Sequence, residues 1–108
     1  MSTTIKPFVY LNDIKSFYDF ARENPVSIAV DTIRVGYPVA DWSREEYKEF
    51  KTIDGKPVFS IADLLLEINR AVICELDNGE NFAPHCADDY CIERITINDN
   101  VCIVDFGS

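Results

Sequence analysis

The chain's only histidine, His85, stands among groups that can do chemistry with it: His85-Cys86-Ala87-Asp88-Asp89-Tyr90-Cys91. Imidazole and thiolate are the ligands zinc prefers, so Cys74, His85 or Cys86, Cys91 and Cys102 form the set to weigh. Their spacing opposes a metal. Structural zinc ligands come in pairs roughly two to four residues apart on a tight turn. Cys86 and Cys91 lie at the loose end of that range. Cys74 ends a helical pattern, and Cys102 sits on the apolar face of a strand pattern. A free cysteine in such places acts as a small hydrophobe.

A cysteine nucleophile needs a base, and His85 is the one available. Adjacent side chains seldom point at each other, so the workable pair is His85 with Cys91, with Asp88 or Asp89 orienting the ring. The same acids raise a neighbouring thiol's pKa, and no oxyanion-hole loop or nucleophile elbow stands nearby. A serine nucleophile depends on the same single base. Carboxylate pairs are plentiful at Asp88-Asp89, Glu45-Glu46 and Glu75/Asp77/Glu80. Acid–base work needs a shifted pKa, and abundance alone reads as a solvated face. The stretch from Glu75 to Asn81 lacks the alternating acids of a calcium loop and reads as a turn. Four glycines leave no GxGxxG and no phosphate cradle. The expectation is a non-enzymatic chain with no cofactor and no metal.

The elements that carry these groups read as one α+β domain over residues 1–108, with about three helices on a small, largely antiparallel sheet. Phe8 to Leu11 suggests a strand, and Asn12 or Asp13 caps a helix whose face is Ile14, Phe17, Tyr18 and Ala21. Asn24-Pro25 ends it, with Asn24 suited to a left-handed cap. Val26, Ile28 and Val30 alternate as a strand running to about Val35. Ser43 and Glu46 make a capping box, with Trp42 and Tyr47 as staple, which predicts a helix from Arg44 to Lys51. Asp54-Gly55 predicts a hairpin turn. Ser60 caps the main helix, striped by Ile61, Leu64, Leu65, Ile68 and Val72.

The end of the chain predicts a hairpin from Ile92 to Phe106 turning at Asp99-Asn100. Ile97 then faces Cys102, Ile95 faces Val104, and Arg94 faces Asp105 in an ion pair. Phe17, Phe20, Phe50, Phe59 and Phe106 are the expected aromatic core.

Charge separates the halves. Residues 60–108 carry ten acids against two bases, whereas residues 1–59 carry nine against eight, out of a net −9. Such a field repels nucleic acid and anionic membrane and steers the chain toward basic surfaces. No apolar run is long enough for a membrane helix and the N-terminus lacks a signal-peptide core, so a cytoplasmic protein with reduced thiols is expected. The expected function is non-catalytic: an acidic face docking on a basic partner that itself binds nucleic acid. Glu75, Asp77, Glu80, Asp88 and Asp89 supply the charge, and Phe82 and Tyr90 the anchors. In size and charge the chain resembles small acidic inhibitors that phages and mobile elements direct at host nucleases, a likeness of character without a shared motif. An immunity or antitoxin protein, an assembly subunit, or a metal or thiol module at His85, Cys86 and Cys91 are the alternatives. A homodimer through a strand edge or the wide apolar helix is compatible with the sequence.

Overall fold

A computed structural model describes residues 2–38, 45–76 and 90–107. The strands are β1 (Ser2–Ile5), β2 (Val9–Tyr10), β3 (Thr32–Pro38), β4 (Glu45–Lys51), β5 (Cys91–Asn98) and β6 (Val101–Gly107); the helices are α1 (Ile14–Glu23) and α2 (Ile61–Arg70). All six strands join one sheet in the order β1-β5-β6-β3-β4, with β2 pairing β5 beyond β1. Every pairing is antiparallel except β3 with β6, so the sheet is mixed.

The C-terminal hairpin follows the pattern read from its residues. Asn98 pairs Val101, Ile97 pairs Cys102, Ile95 pairs Val104 and Arg94 pairs Asp105. An irregularity between Ile92 and Arg94 sets Glu93 apart and restores Ile92 opposite Phe106. Apolar side chains that alternate along β5 and β6 reach the core only in that register.

Both helices start where capping chemistry places them. The Asp13 carboxylate accepts from the Ser16 N–H, and Ser60 Oγ accepts from the Asp63 N–H at 3.1 Å. Each satisfies a backbone donor that a helix start leaves without a partner. The α2 stripe of Ile61, Leu64, Leu65 and Ile68 is buried, as are Ala71 and Val72 in the π-helical turn (Ala71–Leu76) that extends it. These side chains and Phe17 of α1 meet Ile33, Val35, Ile95, Ile97, Cys102 and Val104 in one cluster, so the helices cover one face of the sheet. Full burial stabilises each large aliphatic side chain by about 1.5–3 kcal/mol.

The third expected helix is a strand. Glu45–Lys51 pairs antiparallel with β3, Phe50 opposite Ile33 and Tyr47 opposite Gly36. Local helix signals lose here to the ladder that β3 offers and to the burial of Phe50. The Tyr47 ring lies over Gly36, in space that a Cβ there would occupy, and the Arg34 guanidinium stands 5.3 Å from its centroid. Trp42, Ser43 and Arg44 lie outside the described residues.

Other expectations shift for related reasons. Val26 to Ala29 form no strand: Val30 makes a single bridge with Val58, and β3 begins at Thr32, where β6 supplies a ladder. Asn24 caps α1 with φ −132, outside the left-handed region. Asp54-Gly55 closes a 3₁₀ turn (Ile53–Gly55), with positive φ at both residues, and no hairpin. Ile14 and Tyr18 are exposed, so α1 packs through Phe17, Phe20 and Ala21. Phe59, just before the Ser60 cap, is 66% exposed and leaves the core position to Ile61.

Candidate partner-binding surface

Outside the stretch Glu75 to Asp89 the described residues carry nine bases against thirteen acids, so the scaffold is acidic only in moderation. Several of these charges are matched locally. Arg94 meets Asp105 at 3.1 Å on the sheet face away from the helices, and Arg70 meets Glu67 at 3.0 Å at the end of α2. Arg22 pairs with Asp19 one turn apart on α1.

A fourth group ties one end of the sheet together. Asp31 Oδ1 accepts from Thr32 Oγ1 at 2.8 Å and from Asn100 Nδ2 at 2.7 Å, and Lys51 Nζ donates to Thr32 Oγ1 at 2.7 Å. The N–H groups of Asp31 and Thr32 both donate to the Asn100 carbonyl. The two side-chain donors, and then the Lys51 charge, hold the Asp31 carboxyl below its usual range. This cluster fixes the β5–β6 turn against β3 and β4, and its carboxylate stays ionised near neutral pH.

The densest excess of acid falls elsewhere. Between Glu75 and Asp89 the chain holds Glu75, Asp77, Glu80, Asp88 and Asp89, and no Lys or Arg. Glu75 belongs to the π-helical turn. Asp77, Glu80, Phe82, Asp88 and Asp89, together with His85 and Cys86, lie outside the described residues. The fold receives this stretch at two buried places. One is the start of the π-helical turn at Ala71 and Val72; the other is Tyr90, whose carbonyl accepts from the Leu11 N–H at 3.1 Å.

Tyr90 is a core residue rather than a surface anchor. It is 2% exposed and meets Phe106 edge-on, the ring centroids 6.4 Å apart. The alternation Tyr90, Ile92 that leads into β5 carries this signal in the sequence. The exposed aromatics among the described residues are others: Phe8, Tyr10, Tyr18, Tyr47 and Phe59. Tyr10 pairs with Cys91 in the β2–β5 ladder, one residue from the point where the acid-rich stretch rejoins the sheet. Spacing could not separate Tyr18 from Phe17, because adjacent helix positions share one apolar boundary and the packing of α2 decides which turns inward.

Burial and then Glu93 push the Cys91 thiol up, and burial pushes Cys102 up to about 12. Both shifts disfavour thiolate, the form that attacks and the form that binds metal. Among the described residues no three His, Cys, Asp or Glu side chains come together as metal ligands. The side chain of Cys74 is outside the described set. An open groove of about 300 Å³ lies between the end of α1 and the start of α2, lined by Ala21, Pro25, Val26, Phe59 and Ile61 with the polar Asn24, Ser27 and Ser60, and without a charged group. Its lining is mixed polar and apolar, and it has no acid–base group of its own. Among the described residues no helix is long and apolar enough to cross a membrane.

The arrangement defines a small two-layer α+β protein, two helices on one face of a mixed six-stranded sheet. No protein-family model, no curated protein and no solved structure matches the chain.

Proposed function

We propose that this protein is a non-catalytic interaction protein whose acid-rich stretch, Glu75 to Asp89, docks on a basic partner, a protein built to bind nucleic acid. One observation carries the reading: five acids and no base fall in those fifteen residues, while the rest of the described residues set nine bases against thirteen acids. A groove that binds phosphates already presents Lys and Arg, and carboxylates at its mouth compete for the same donors. Exposed Tyr10, beside the point where the stretch rejoins the sheet, is of the residue type that anchors interfaces. The same physics serves an inhibitor of a host nuclease and an immunity protein against a basic toxin.

The test is capture of partners on the tagged full chain from nuclease-treated lysate, eluted with rising salt. Charge-steered binding releases a basic protein at moderate salt. Changing Glu80, Asp88 and Asp89 to their amides should weaken capture at least tenfold more than the same change at exposed Glu23, Asp54 and Asp63. Equal losses from the two triple variants would remove the acid-rich stretch as the interface.

A further inference from the structure

The outer edge of β4 is one of the two unpaired edges of the sheet among the described residues, the other being the β1 and β2 side. At β4 the backbone polarity follows from the strand's other side. Antiparallel ladders alternate hydrogen-bonded and non-hydrogen-bonded pairs. The Thr52 N–H donates to the Asp31 carbonyl, and the Thr32 N–H donates away from β4 to Asn100. Phe50 and Lys48 therefore bond across to Ile33 and Val35. Lys51, Glu49 and Tyr47 stand in the alternate pairs, with N–H and C=O directed at the outer edge, which no described strand pairs.

We propose that this edge pairs with β4 of a second copy, antiparallel about a two-fold axis at Phe50. Closed two-fold pairing is the commonest way a soluble chain self-associates, and a strand edge is a ready template for it. Charge selects the register. Centring the axis on Tyr47 sets Glu45 against Glu49 of the other copy; centring it on Lys48, Glu49 or Lys51 sets each of those against itself. Like charges directly opposite are destabilising. Centring on Phe50 sets Glu49 against Lys51 twice and Phe50 against Phe50, and the paired strand ends at Lys51, before the 3₁₀ turn that begins at Ile53. Lys51 keeps most of its side chain in solvent, with Nζ turned back over β3 to Thr32 Oγ1 at 2.7 Å, so facing Glu49 of the second copy takes a rotation of that side chain. The outward backbone groups of Glu49 and Lys51 then exchange hydrogen bonds with Lys51 and Glu49 of the second copy, and two sheets become one.

A pairing this small is concentration-dependent, so sedimentation equilibrium of the full chain from about 1 to about 500 µM is the measurement. The expected result is a monomer–dimer equilibrium. Hydrogen exchange of the Glu49 and Lys51 amides should slow as the dimer fills, whereas Lys48 and Phe50, bonded to β3, should stay protected throughout. Glu49→Lys or Lys51→Glu alone should weaken the dimer by about tenfold, and the double swap should restore it. Glu49→Pro removes an outward donor, leaves the β3 ladder intact and should abolish the dimer. Circular dichroism and thermal melts of each variant separate lost pairing from lost folding. A monomer over the whole range, or a dimer that Glu49→Pro and both single swaps leave unchanged in folded variants, overturns the proposal.

Discussion

Replacing Cys102 by serine and by alanine distinguishes a thiol kept for chemistry from one kept for packing. Cys102 is fully buried, opposite Ile97 on β5 and Ile33 on β3. Alanine removes one heavy atom from an apolar site and leaves a small void, a loss of about 1 kcal/mol. Serine fills most of the volume but brings a hydroxyl among aliphatic neighbours, which costs about 1–3 kcal/mol when it lacks a good partner. The expected order of stability is wild type, then Cys102→Ala, then Cys102→Ser. For a domain of this size a loss of 2 kcal/mol lowers Tm by roughly 8–15 °C, well within reach of a thermal melt. Thiol labelling gives the second readout. With its pKa pushed up to about 12, Cys102 holds only about one part in 10⁴ thiolate at pH 8, and its sulfur is out of reach of reagent. Native wild type and native Cys102→Ala should therefore release equal amounts of thiol, differing by one equivalent only after unfolding in urea. The shift also fixes a pH dependence. The unfolded thiol ionises near its ordinary value of 9.0, while the folded one stays protonated to about 12. Stability from this group is full below about pH 9 and falls above it by at most about 1.4 kcal/mol per pH unit, a slope missing from Cys102→Ala. A serine variant as stable as the alanine one, or a Cys102 that reacts in the native protein, would refute the packing argument.

Two further outcomes follow from charges that the fold brings together. Asp31, held below its ordinary value of 3.8 by Thr32, Asn100 and Lys51, contributes stability that is present above that value and lost as pH falls through the folded one. Asp31→Asn should flatten the acid limb of the urea midpoint measured from pH 5 down to pH 2; an unchanged limb would mean that the cluster does not shift the carboxyl. Arg94 and Asp105 are each about half exposed at 3.1 Å, so a double-mutant cycle should give about 0.2–1 kcal/mol at low salt and close to nothing at about 1 M salt. A coupling well above 1 kcal/mol would show a drier face, covered by something beyond the described residues.

Short-range chemistry was legible in the residues themselves. Asp13 and Ser60 cap their helices because a side-chain oxygen beside a helix start meets orphan donors whatever the rest of the chain does. The β5–β6 hairpin was legible for a related reason: one register alone buries Ile95, Ile97, Cys102 and Val104 together and leaves Arg94 facing Asp105. The surplus of acid between Glu75 and Asp89 is a property of composition and needs no coordinates.

Choices between competing local options belonged to the tertiary structure. Glu45–Lys51 carries helix signals, yet becomes a strand because the β3 edge and the core take Phe50. Ile14, Phe17 and Tyr18 look alike on a helical wheel, and the position of α2 decides that Phe17 alone is fully buried. Tyr90 goes inward against Phe106, and Phe59 outward beside the helix cap. The parallel pairing of β3 with β6 joins residues about seventy positions apart, a contact that no local pattern encodes. Caps and hairpin registers rest on neighbours along the chain, and so can be read from it. Burial and sheet order rest on what other segments leave open, which is settled only when the whole chain packs.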